Sequence, residues 1–176
     1  MTETIDAVRA ALESGATTSR QLVEACLARA VAPDGEGSRA FVSLFAEQAM
    51  AEAEAIDRRR RAGLWTGLLG GIPVSIKDLF DVHGRATTAG SRVLAGSTPA
   101  VSDAAIVTRL RAAGAVIVGR TNMTEFAFSG LGLNPHYGTP ANPYDRAARR
   151  IPGGSSSGAA VSVSDGMCTA AIGTDT

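Results

Sequence analysis

Reactive side chains gather at two places in the 176-residue sequence: Lys77, inside the alternating segment 72–78, and the three serines Ser155, Ser156 and Ser157 behind the pair Gly153 and Gly154. A lysine withdrawn from water holds its proton less tightly, by up to about 3–5 pKa units on full burial, and can then act as a general base near neutral pH. The same alternation fits a lysine that faces solvent on a strand face shared with Pro73 and Ser75. Both readings stand at this level, with the flanking Ile76 and Leu79 compatible with burial. The serine stretch 154–158 matches Gly-x-Ser-x-Gly, a nucleophile elbow with Ser156 at its centre. An elbow needs a strand immediately before it, and residues 142–152, rich in proline and arginine, do not supply one. His83 and His136 both precede the serines, against the hydrolase order, and no Gly-Lys-Ser/Thr follows the glycines to make a phosphate loop. A lysine–serine site remains, beside the plainer reading of a flexible loop.

Other chemistries find little support. His83 and His136 have no metal-type spacing and read as exposed loop positions, and Glu125 and Asp175 read as isolated structural carboxylates. Cys26 and Cys168 read as reduced thiols packed as small apolar groups, so neither a disulfide nor a metal site is expected. The 17 acidic and 17 basic residues cancel, which argues against a nucleic-acid or membrane surface as partner. The basic run 58–61 suits the end of a helix, where cations favour the dipole. Residues 1–6 carry no basic and apolar leader, and the expected location is the cytoplasm.

The elements that must position Lys77 and the serines follow from periodicity. Ile5, Val8 and Leu12 predict a helix stopped at Gly15, and Thr18 with Gln21 predicts a capping box opening a helix through Leu22, Val23, Cys26, Leu27 and Ala30. A polar turn over 34–38 and a short strand over 40–45 precede a third helical seam, Ala46, Ala49, Met50, Ala53 and Ile56, that ends near Gly63. Segment 72–78 predicts a strand. Ser102 or Asp103 would cap a helix carrying Ile106, Val107, Leu110 and Ala113, which Gly114 would end. The apolar run 115–118 predicts a strand covered on both faces, and strand–helix–strand order predicts a right-handed crossover in a parallel sheet. A helix over 159–166 and a buried strand over 169–172 complete an α/β chain.

Four blocks then stand in a telling order: Gly-Gly-Ile-Pro-Val-Ser-Ile-Lys-Asp (70–78), Gly-Arg-Thr-Asn-Met-Thr-Glu-Phe-Ala-Phe-Ser-Gly (119–130), Asn-Pro-His-Tyr-Gly-Thr-Pro-Ala-Asn-Pro (134–143) and Pro-Gly-Gly-Ser-Ser-Ser-Gly-Ala-Ala (152–160). Together they resemble the amidase signature family, from about Leu68 onward, with the preceding helices as a lead-in. The resemblance implies the amidase signature fold, a mixed, largely parallel sheet flanked by helices. The chain would supply its N-terminal part, a helical layer over 1–63 and the start of the core over 64–176 within a single domain. It implies hydrolysis of a carboxylic amide, with release of ammonia or an amine, through a Ser-cisSer-Lys triad.

On that resemblance Lys77 is the catalytic lysine and Ser155 the cis-serine, with a cis bond between Gly154 and Ser155. Phe126, Ala127, Phe128 and Ser129 would bind substrate, and Gly153, Gly154, Ser156, Thr174 and Asp175 would support the site. The family's nucleophile lies further along, in a Thr-Asp-x-Gly-Gly-Ser run that the sequence has entered when it reaches Thr176. The nucleophile and the oxyanion-hole amides are therefore expected beyond it, and this stretch alone is expected to be inactive. No metal or organic cofactor is implied. The implied partner is a small-molecule amide, and a homodimer is compatible with the family. Two alternatives accompany this reading: the glutaminase subunit of a tRNA-dependent amidotransferase, with its partner subunits, and a catalytically incomplete fragment or binding module.

Overall fold

The computed structural model describes residues 3–175; Met1, Thr2 and Thr176 lie outside the described residues, Thr176 being the third position of the run in which the nucleophile is expected. Helix α1 (Ile5–Ser14) starts at Thr4, buries Val8 and Leu12 and ends on Gly15 with φ of 75°. Helix α2 (Ser19–Ala30) opens with the capping box: Gln21 N donates to Thr18 Oγ1 at 3.1 Å and Thr18 N donates to Gln21 Oε1 at 3.0 Å. Its first amides also find a carboxylate from another element, since Ser19 N and Arg20 N donate to the two oxygens of Asp57 at 2.8 and 3.0 Å. Asp57 belongs to α4 (Ala46–Arg61), whose last turn holds the four arginines 58–61.

The expected polar turn over 34–38 is present through Glu36, and its last two positions open a short helix, α3 (Gly37–Ala40). Arg39 N and Ala40 N donate to Glu36 O at 2.9 and 2.8 Å, and the Glu36 carboxylate is anchored by Arg39 Nε at 2.8 Å and Ala141 N at 2.9 Å. The Arg39 hydrogen bond holds Glu36 below the ordinary carboxylate range.

Strand β1 (Phe41–Leu44) runs antiparallel to β3 (Val116–Thr121), which runs parallel to β2 (Pro73–Lys77); β4 (Ala170–Ile172) runs parallel to β2 on its other side. The order is therefore β1-β3-β2-β4, a mixed, largely parallel α/β sheet. Helix α5 (Ala105–Ala112) makes the crossover from β2 to β3. It starts from Ala104 without a side-chain cap, which corrects the expected Ser102 or Asp103. Asp103 is committed elsewhere, accepting from His83 N at 2.7 Å and Arg111 Nε at 3.0 Å. Strand β4 is only half-buried along its length, not covered as its apolar sequence suggests.

Both faces of the sheet are packed. Ile72, Val74, Ile76 and Ile117 meet Val8, Leu12, Val107 and Leu110 on one side, and Val116 and Val118 meet Val23, Ala49, Ala53 and Val161 on the other. Helix α6 (Ser157–Ser164) lies against this second face so closely that only glycine fits at 158, where a Cβ would stand 2.2 Å from Ala40 O. The thiols of Cys26 and Cys168 are buried and unpaired; burial pushes Cys26 up to about 12. Cys168 is not purely an apolar filler, because its Sγ lies 3.4 and 3.3 Å from Ser75 Oγ and Ser162 Oγ.

Candidate active site

Lys77 ends β2 with its neighbours Pro73 to Ile76 all buried, so the face it shares with Pro73 and Ser75 does not meet solvent. Helix α6 covers that face, with Ser162 Oγ 3.1 Å from Ser75 Oγ. The lysine itself has no exposed surface, and its Nζ donates to Ser155 Oγ and to Thr174 Oγ1, each at 2.6 Å. Removal from water holds the Lys77 amine below the ordinary lysine pKa. An amine in that condition, touching a hydroxyl, can pass a proton to it or take one from it.

Ser155 reaches the lysine from the turn between residue 152 and α6, where the Gly154–Ser155 peptide bond is cis. The turn is pinned from two sides. Thr124 N donates to Ser155 O at 3.0 Å, and Gly132, at φ of 81°, packs so near Gly153 that a Cβ would lie 2.1 Å from its carbonyl oxygen. Ser156 Oγ accepts from Thr174 N at 3.2 Å and lies 3.3 Å from Thr174 O, which ties the segment after β4 to the serine turn. Lys77, Ser155, Ser156 and Thr174 are thus brought together, with Gly153 and Gly154 forming the turn. Asp175 follows at the surface.

The segment 126–129 is adjacent, joined to the serine turn through Thr124, yet the cavity beside it is lined by Thr124, Glu125, Phe126, Phe128, Leu133 and Pro135 and by neither Lys77 nor Ser155. Phe126 and Phe128 are exposed, at 55% and 92%. Phe126 and Ala127 hold left-handed φ of 50° and 57°, a conformation that costs an L-residue roughly 1–2 kcal/mol and persists only where surroundings impose it. Ser129 Oγ is turned to its own loop, accepting from Leu131 N at 3.2 Å.

Several supporting residues escape sequence reasoning. Asp78, next to the lysine, is fully buried and gathers Thr88 N at 3.3 Å, Thr88 Oγ1, Gly90 N at 3.0 Å and Arg120 Nη1 at 3.1 Å. Arg120, buried on β3, also donates to Ala86 O, Phe80 O and Thr87 Oγ1, and burial lowers its pKa. His136 is not the exposed loop residue its spacing suggests: it is half-buried, with Nε2 3.1 Å from Glu125 Oε1. Glu125 is accordingly not isolated. The one available signal for these partners is that a charged residue inside a strand pattern requires a counter-charge.

Among the described residues, no group of three or more His, Cys, Asp or Glu side chains could hold a metal ion, and no helix is long and apolar enough to cross a membrane. A model of the Amidase family matches residues 21–176. A glutamyl-tRNA(Gln) amidotransferase subunit of Chloroflexus aurantiacus is 46% identical over 98% of this chain and 35% of its own length. The AtzE subunit of 1-carboxybiuret hydrolase from Pseudomonas sp. (strain ADP) is 43% identical over 94% of this chain and 35% of its own length. Among solved structures, the peptide amidase of Stenotrophomonas maltophilia matches with a TM-score of 0.82 and 39% identity, over 96% of this chain and 35% of that one. The chain spans about a third of the length of the curated relatives it matches.

Proposed function

The chain belongs to the Amidase family, and from that premise we propose that Lys77 and Ser155 are the proton-handling pair of an enzyme that hydrolyses a carboxylic amide. The observation that carries the reading is the 2.6 Å contact between the buried Lys77 amine and Ser155 Oγ. In the proposed reaction the attacking group is a serine that follows Asp175, outside these 176 residues. As its Oγ bonds to the amide carbonyl carbon, its proton passes to Ser155 and the proton of Ser155 passes to neutral Lys77. The relay then runs in reverse: Ser155 protonates the departing nitrogen as the C–N bond breaks. Water releases the acyl group by the same route. Thr174, the second partner of Nζ, keeps the amine aimed along this path, and Ser156 holds Thr174 in place.

The complete protein, incubated with simple carboxamides and with glutamine, is expected to release ammonia. Ser155→Ala is expected to lower that rate by about 10²–10⁴-fold while the fold is retained by circular dichroism, because the relay loses its middle hydroxyl. Near-normal turnover by Ser155→Ala would defeat the assignment. A second reading is favoured by the 46% identity to a glutamyl-tRNA(Gln) amidotransferase component: a glutaminase that passes ammonia on. Release of ammonia from glutamine only in the presence of partner subunits would select it, and hydrolysis of simple amides by the solitary enzyme would select the free amidase.

A further inference from the structure

The Phe126–Phe128 segment is braced by groups that take no part in the proton relay. Ser91 Oγ donates to Glu125 Oε1 at 2.6 Å and, with its proton on Nε2, His136 donates to the same oxygen at 3.1 Å. Phe126 N donates to Ala89 O at 2.9 Å, and Phe128 N to Glu125 O at 3.2 Å. Behind them the buried Asn134 sends Nδ2 to Gly90 O and Met123 O, both at 2.8 Å, and accepts on Oδ1 from His136 N and Tyr137 N at 2.8 and 3.0 Å. Three loops, 88–91, 123–128 and 134–137, are thereby tied together, with Glu125 and Asn134 as the junctions.

The backbone that this bracing holds is left-handed at two successive non-glycine residues, Phe126 and Ala127. Such a turn does not stand by its own propensity: released, both residues fall back to right-handed or extended conformations and carry the flanking rings with them. Those rings, with Leu133 and Pro135, wall a cavity of about 330 Å³ whose lining is mostly apolar. Its single charged lining group, Glu125, spends one oxygen on Ser91 and His136.

We propose that Glu125, held by Ser91 and His136, is a positioning residue that sets substrate discrimination: it fixes the left-handed Phe126–Ala127 turn so that the two phenyl rings receive an amide bearing an apolar, ring-sized group. The inference rests on the reading of Lys77 and Ser155 as an amide-hydrolysing pair. Glu125 touches no reacting atom. Its influence passes through the backbone.

The test compares wild type, Glu125→Ala, Glu125→Gln and Ser91→Ala of the complete protein on phenylacetamide and propionamide. Glu125→Ala is expected to lose about tenfold or more in kcat/KM for phenylacetamide, mainly through KM, and no more than about threefold for propionamide. Ser91→Ala, which removes one donor and leaves the carboxylate, is expected to lose selectivity in the same direction by less. Glu125→Gln keeps an acceptor in the same place and is expected to restore the wild-type ratio between the two amides. An equal loss on both amides, an unchanged ratio in Glu125→Ala, or a fall confined to kcat would overturn the proposal. Calorimetric binding of the same two amides separates this from the catalytic reading. Weaker binding of phenylacetamide alone by Glu125→Ala supports the positioning role even where wild type turns over neither amide, whereas unchanged binding of both overturns it. Full turnover by Lys77→Ala would defeat the relay and leave the binding comparison standing.

Discussion

Lys77→Ala in the complete protein is expected to lower kcat/KM for amide hydrolysis by about 10²–10⁴-fold, the contribution typical of a positioned general acid–base. Burial and contact together carry this expectation. The amine has no exposed surface, so the chain gives up its hydration, and the hydroxyls of Ser155 and Thr174 at 2.6 Å offset part of that loss. Burial lowers the pKa of this amine, and the adjacent carboxylate, Asp78, is engaged by Arg120 and the 88–90 backbone. Lys77→Arg is expected to be as inactive as Lys77→Ala, since a guanidinium stays charged and cannot accept the proton. Lys77→Met is expected to fold normally, because it keeps the apolar stem that packs at the end of β2, and to be as impaired as Lys77→Ala, because it lacks the amine. Thermal unfolding beside the ammonia assay checks all three; activity within about tenfold of wild type in Lys77→Met would refute the role.

Asp78→Ala is expected to lower the unfolding free energy by about 3–5 kcal/mol, the cost of leaving a buried guanidinium without its partner. Arg120 and Asp78 are both buried and 3.1 Å apart, and Asp78 also satisfies the amides of Thr88 and Gly90. Three losses therefore coincide: the counter-charge of Arg120, the anchor of the 88–90 turn and the hydroxyl partner of Thr88. Because that turn meets Phe126 N through Ala89 O, the Phe126–Phe128 segment should loosen with it. The paired change Asp78→Leu with Arg120→Met is expected to recover part of the stability, since it leaves neither charge buried alone. Urea unfolding of the variants measures this, and a loss under about 1 kcal/mol for Asp78→Ala would contradict it.

The sequence makes the scaffold legible where a pattern has a single physical solution. The Thr18–Gln21 capping box, the alternation before Lys77 and the crossover helix between two apolar strands all appear as read, because caps and periodicity are local. The meeting of Lys77 with Ser155 joins residues far apart in sequence, and it is legible from the order of motif blocks, not from spacing. What escapes reading is polar and tertiary. Strand β3 runs past its apolar stretch to Thr121, paired there with both β1 and β2, and Arg120 meets Asp78 just beyond the end of β2, a pairing that no period announces. Asp103 has the right chemistry for a helix cap but is drawn to His83 N and Arg111, and His136 is drawn inward by Glu125. Apolar composition alone cannot tell that β4 lies, among the described residues, at the edge of the sheet beside β2, where all three of its residues are half-buried.

The proposed relay requires Lys77 to be neutral at working pH, and its titration tests that most directly. Lysine labelled with ¹³C at Cε in the complete protein gives a signal that Lys77→Ala removes, so the residue is assigned by difference. The expected apparent pKa lies below the ordinary lysine value of about 10.4 and coincides with the acid limb of kcat/KM for amide hydrolysis, with activity rising as the amine loses its proton. A Lys77 that titrates at or above the ordinary value, or an acid limb that persists unchanged in Lys77→Ala, would contradict it.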